Sequence, residues 1–200
     1  MKRLPGIVVV AVLVVVAVAG INSWTGSGPG LGGTLAPGAP EVVRLSPTEA
    51  LAALERLPRV ERWPDGPAYD RDAFGEAWAD VDGNSCNQRD DVLLRDAEPG
   101  TVETARQGAC DHDVLAGTWV DPYSGTRLVM NDMKDPAQAQ AVQIDHVVPL
   151  AEAWRSGASA WSDARRERYA NDLGVLVASD GAVNQSKGDD DPAAWLPKQE

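Results

Sequence analysis

The string Gln143-Ile144-Asp145-His146-Val147-Val148-Pro149-Leu150 decides how this chain is read, together with Asn184-Gln185-Ser186-Lys187 further on. Only two histidines occur in 200 residues, so a group that titrates near neutral pH has two places to be. His146, beside an aspartate, is the better placed. Neighbouring residues of an extended segment point to opposite faces, so Asp145 presents a carboxylate to one side and His146 an imidazole to the other. Asn184 and Lys187 are three apart, which on a helix places an amide oxygen and an ammonium on one face. A base for water, oxygen ligands for a hard cation and a positive charge for a phosphate are the residue types that phosphodiester hydrolysis needs.

Working outward from these strings, residues 150–156 read as a helix stopped by Gly157 and residues 162–170 as a second one. A strand follows at 175–178, then a turn at Ser179-Asp180-Gly181 and a helix carrying Asn184 and Lys187. The result is a β, β, α unit in which the two helices are insertions. Asp189-Asp190-Asp191-Pro192 is expected to cap one last turn that holds Trp195 against the core. Upstream, Gly117-Thr118-Trp119-Val120 reads as a strand entering a Pro-x-x-Gly turn at Pro122-Tyr123-Ser124-Gly125, with residues 127–130 returning as its hairpin partner. The strand bearing His146 is expected to add to this antiparallel sheet. Ser46-Pro47-Thr48-Glu49 has the form of an N-cap, a first-position proline and an acidic first turn, with Leu51, Leu54 and Leu57 following near helical spacing.

Residues 142–197 resemble an HNH nuclease of the ββα-metal type. The resemblance rests on Asp145-His146-Val147-Val148-Pro149-Leu150, Tyr169-Ala170-Asn171-Asp172, Asn184-Gln185-Ser186-Lys187-Gly188 and Asp191-Pro192-Ala193-Ala194-Trp195-Leu196-Pro197, in that order. These strings are similar to a branch of secreted bacterial proteins related to the nuclease domain of modification-dependent restriction enzymes. Tyr69-Asp70-Arg71-Asp72-Ala73-Phe74-Gly75 and Asp82-Gly83-Asn84-Ser85-Cys86-Asn87-Gln88-Arg89 resemble the same branch less specifically. The resemblance implies an α+β fold: a ββα-metal core with an antiparallel hairpin extension, flanking helices and one disulfide.

It also implies roles. Asp145 would be a metal ligand, His146 the general base, Asn184 the second protein ligand and Lys187 a phosphate contact. The cofactor would be one divalent cation, with Mg²⁺ or Mn²⁺ ahead of Zn²⁺ because the ligands are oxygens. The substrate would be nucleic acid, DNA before RNA, and no protein partner is implied. The middle Asn of the HNH pattern, which helps fix the loop bearing the base, has no counterpart in the strand Gly174-Val175-Leu176-Val177-Ala178. Asn171 is the nearest candidate for that orienting role, and a backbone carbonyl is the alternative means of holding the imidazole tautomer. Arg89 is a candidate phosphate clamp.

Lys2 and Arg3 precede an apolar run at 7–19 that ends in Ala17-Val18-Ala19, so residues 1–21 read as a signal peptide or an N-terminal anchor. The run is shorter than the ~20 residues that span a bilayer. Residues 22–40, rich in Gly, Ser and Pro, read as a linker, and 41–200 as the nuclease-like domain. The product would be secreted, or anchored on the extracytoplasmic side with the N-terminal segment as its only membrane contact. In an exported chain Cys86 and Cys110 read as a disulfide closing a loop of about two dozen residues, worth about 3 kcal/mol. The net charge of −12, more negative still once Lys2 and Arg3 leave, opposes tight unspecific binding to a polyanion. Salt outside the cell and bound cations offset that repulsion over short distances. A serine hydrolase lacks its Gly-x-Ser-x-Gly elbow here. A non-catalytic exported binding module on a degenerate HNH fold is the second reading.

His112, Arg165, Arg166, Arg168 and the seven tryptophans have ordinary structural readings beside functional ones: a solvated loop, a charged helix face and aromatic core filling.

Overall fold

The computed structural model describes residues 46–58 and 65–197, so the expected leader at 1–21 and linker at 22–40 lie outside the described residues. Helix α1 (Pro47–Glu55) starts as its sequence requires. The Ser46 hydroxyl accepts from Glu49 N, and the Glu49 carboxylate returns to Ser46 N at 2.8 Å. It buries none of its own residues.

Helix α2 (Gln88–Asp96) begins under an Asn87 cap. Three antiparallel strands follow, β1 (Glu103–Gln107), β2 (Cys110–Val120) and β3 (Arg127–Met130), with β2 in the centre. The β2–β3 hairpin turns where Pro-x-x-Gly places it, with Gly125 N donating to Asp121 O at 2.9 Å. After the short α3 (Pro136–Ala141), strand β4 (Val142–His146) pairs antiparallel with β5 (Leu176–Asp180). Between the two strands lie α4 (Leu150–Arg155) and α5 (Asp163–Ala170), and α6 (Gly181–Lys187) follows β5. The β, β, α unit with two inserted helices is thus the arrangement the sequence indicates. The Cys86–Cys110 disulfide is formed and ties the approach to α2 to the first residue of β2.

One expectation is corrected: β4 does not extend the hairpin sheet. It makes a separate two-stranded sheet with β5. The reason is α2, which packs against β2 on one side and β5 on the other. Its last turn supplies side chains where another strand would supply backbone. Arg95 Nη2 donates to Leu176 O at 2.7 Å and Asp96 Oδ2 accepts from Ala178 N at 2.9 Å, so the outer edge of β5 is already satisfied. Buried Asp121 then joins the two sheets, accepting from Ser179 Oγ at 2.7 Å and Asp180 N at 3.0 Å through one oxygen and from Ser124 through the other.

Two apolar clusters result. One gathers Val92, Leu93, Val114, Trp119, Val142, Ile144 and Leu176 between α2 and the sheets. The other gathers Phe74, Leu150, Trp154 and Ala170 around the inserted helices. Trp119 and Trp154 fill these cores and satisfy their indole N–H groups on Leu93 O and Pro67 O, as the composition leads one to expect of tryptophan in a chain poor in phenylalanine.

Candidate active site

Alternation along β4 sends Gln143 and Asp145 toward α6, and Ile144 and His146 toward the other side. Helix α6 is held against the strand by its start. Asp180 caps it by accepting from Ala182 N and Val183 N, and Gly181 is needed because a Cβ there would lie 2.5 Å from Gln140 O. Asn184 and Lys187 therefore share a face of α6, as their spacing indicates. Asn184 Nδ2 donates to Gln143 Oε1 at 2.9 Å, and Lys187 Nζ donates to Asp145 Oδ1 at 3.0 Å and to His146 O at 2.9 Å.

Asp145 is 5% exposed and Lys187 4%. The second carboxylate oxygen of Asp145 accepts from Tyr123 Oη at 2.5 Å, and the edge of Trp195 packs on the Tyr123 ring at 5.3 Å. Trp195 therefore covers Tyr123 beside Asp145 instead of resting on the main core. Burial pushes the Asp145 carboxyl up, while Lys187 and Tyr123 pull it back. The Tyr123 hydroxyl is itself held protonated by burial and by the neighbouring carboxylate.

On the opposite side, the His146 ring lies within hydrogen-bond reach of Ala170 O, 2.8 Å from Nε2. A carbonyl only accepts, so Nε2 carries the proton and Nδ1 carries the lone pair. Burial pushes the imidazole pKa down to about 4. The Ala170 bond raises it in part, and the nearby charges of Arg71 and Lys187 lower it further. The ring is therefore neutral at physiological pH. It lines a cavity of about 140 Å³ together with Arg71, Phe74, Glu76, Trp78 and Asn171.

The loop after His146 is fixed by the main chain: Val147 N donates to Val175 O at 2.9 Å, and Ala170 O holds the ring. Buried Asn171 sits next to that carbonyl. Its Nδ2 donates to Glu76 O and Glu167 O, both at 3.0 Å, and so joins the end of α5 to the cavity wall. Its reach to His146 is through the backbone it braces.

Arg89 stands elsewhere. Its Nη2 donates to Ala139 O at 3.0 Å and Val142 O at 3.1 Å, where α3 passes into β4, so the guanidinium expected to clamp phosphate braces the entrance to the strand instead. Arg166 is likewise spent on the carbonyls of Ala73, Ala158 and Trp161. Sequence reading missed Tyr123 and Arg71. Tyr123 lies in a turn signature that accounts for its neighbours without it. Arg71 lies in a string noted for resemblance alone.

The pair Asp145 and Asn184 does not fit a divalent cation in this arrangement. Both carboxylate oxygens are engaged, and the ammonium at 3.0 Å would face any cation bound there. Among the described residues, Cys86, Cys110 and His112 bring three ligand-type atoms close together. The two sulfurs are joined to each other, however, and offer no thiolate.

His146 thus stands at the end of an antiparallel strand pair that leads into the short helix α6. The chain belongs to the family of GmrSD restriction endonucleases, C-terminal domain, whose sequence model matches residues 87–200. Nucleases of this HNH type are as a rule metal dependent. The chain is also 40% identical over 138 residues to an uncharacterized secreted protein of Arthroderma benhamiae, a match covering 67% of this chain and 60% of the relative. No solved structure matches.

Proposed function

We propose that this protein is an exported endonuclease that hydrolyses phosphodiester bonds of nucleic acid, DNA first, with His146 as its general base. The observation that carries the reading is the neutral imidazole: Nε2–H is fixed on Ala170 O, and Nδ1 is left to take a proton from water at a cavity that also contains Arg71. Arg71 would meet the phosphate there, a role the notional clamp Arg89 cannot fill from its place at the start of β4. Lys187 holds the Asp145 carboxylate and the His146 carbonyl, and so positions the residue beside it. Asn171 supports the cavity wall. Export agrees with the charged and apolar N-terminal pattern and with the secreted description of the relative. The expected cofactor remains Mg²⁺ or Mn²⁺.

The test is to incubate the purified, oxidised protein with supercoiled plasmid and Mg²⁺, Mn²⁺, Ca²⁺ or Zn²⁺, alongside His146→Ala. Cation-dependent nicking is expected, falling by on the order of 100-fold or more in the variant, as for loss of a general base. Undiminished cleavage by His146→Ala would remove the proposed base. No cleavage of plasmid, RNA or single strands by the folded protein would leave the binding-module reading.

A further inference from the structure

The contacts of Asp145 carry one consequence beyond the nuclease reading, on which it rests. Each of its oxygens has a protein donor, one an ammonium and the other a phenol, and neither donor is a surface group free to drift away. Lys187 is anchored a second time on His146 O and lies 5.9 Å from the centre of the Tyr123 ring, which Trp195 covers in turn. A cation arriving from solvent must therefore displace a buried ammonium of its own charge sign and a hydrogen-bonded hydroxyl. Removing one partner of a buried pair is costly unless something else takes its place.

We propose that Lys187 and Tyr123 close Asp145 to cations in the free protein, so that a divalent cation and the Lys187 ammonium compete for the same carboxylate. Despite its net charge of −12, the protein then gains no tight cation at this centre while the closure holds. Tyr123, from the hairpin turn, is the second half of the closure and ties the hairpin to the state of the site.

Binding of Mn²⁺ alone, read as loss of the free-ion electron paramagnetic resonance signal, tests this without any cleavage assay. It is measured on the full chain, on Lys187→Met, on the double variant Asp145→Asn with Lys187→Met, and on Tyr123→Phe. Lys187→Met is expected to bind one Mn²⁺ at least tenfold tighter than the natural chain, and the double variant to lose that gain. Tyr123→Phe, which keeps the ion pair and serves if Lys187→Met does not fold, is expected to show a smaller gain. Equal Mn²⁺ affinity in the natural chain and in whichever of Lys187→Met or Tyr123→Phe is folded would overturn the closure. So would a gain that survives in the double variant. A protein that cuts plasmid and shows no such gain disproves the closure and spares the nuclease reading. The Mn²⁺ pattern without cleavage does the reverse.

Discussion

The two histidines of this chain sit in opposite surroundings. His146 is driven neutral by its burial, with the charges of Arg71 and Lys187 adding to that effect and the Ala170 carbonyl opposing it. His112, on β2, lies between two carboxylates, 2.7 Å from Asp91 Oδ1 through Nε2 and 2.7 Å from Asp111 Oδ1 through Nδ1, with Cys86 Sγ 3.4 Å from the ring. Burial works against its charge, but the bonds to Asp91 and Asp111 outweigh burial and raise its pKa. The same side chain is pushed toward its neutral form in one place and toward its charged form in the other. The difference comes from depth of burial and from the neighbours together, which is why a count of histidines indicates where a base can be and never which one it is.

The largest way to break the His112 side is to remove the disulfide beneath it. Cys86 and Cys110 are 24 residues apart, so the cross-link withdraws about 3 kcal/mol of chain entropy from the unfolded state. Replacing both by Ala should lower the unfolding free energy by that amount in urea titrations, with the residual activity at low temperature intact. A loss of activity out of proportion to the loss of folded protein would show that the two regions are not separable. The His146 side is tested by giving it the other's kind of neighbour. Arg71→Glu, at an exposed position before the 3₁₀ turn Asp72–Phe74, places an anion where the phosphate is expected. It should lower kcat/KM by on the order of tenfold, with the deficit shrinking as salt is added. A deficit of the same size at all salt concentrations would mean that Arg71 acts through shape and not charge.

Legibility in the sequence followed the same division between local pattern and distant partner. The frame of β4, β5 and α6 could be read because its signals are local: an extended segment at Asp145 and His146, a stop at Gly157 and a turn at Ser179-Asp180-Gly181. The hairpin and the disulfide were legible for similar reasons. Strand β1 was not, since Glu103–Gln107 has no buried residue and forms only because β2 offers it an edge. The separation of the sheets was hidden because it depends on Arg95 and Asp96 substituting for a strand, which is a matter of where α2 docks. At the site, the residue types at His146, Asp145, Asn184 and Lys187 and their shared faces were readable. The burial of Lys187 on Asp145 was not, because its spacing from Asn184 reads as a cation free to meet a phosphate, and Tyr123, the residue that closes over the pair, lies 64 positions away.

The smallest effect sharpens the contrast most directly, because it concerns proton linkage at His112 with the His146 side left untouched. A folded-state pKa above the ordinary value of about 6.5 means that the folded protein holds a proton the unfolded chain gives up sooner. The stability from this clasp is therefore fully present below about pH 6.5 and is lost as pH rises through the raised folded-state value. The groups that raise it are Asp91 from α2 and Asp111 beside it on β2, against the opposing effect of burial; Cys86 Sγ also faces the ring, and Arg106 of β1 acts on Asp111. His112→Gln keeps hydrogen bonding to Asp91 but carries no titrating charge. Urea midpoints taken from pH 6 to pH 9 should fall for the natural chain relative to His112→Gln, by much less than the disulfide effect because the ring is partly exposed to solvent. Parallel curves for the two proteins would show that His112 is neutral in its clasp, and the contrast with His146 would then be one of position without a difference in charge.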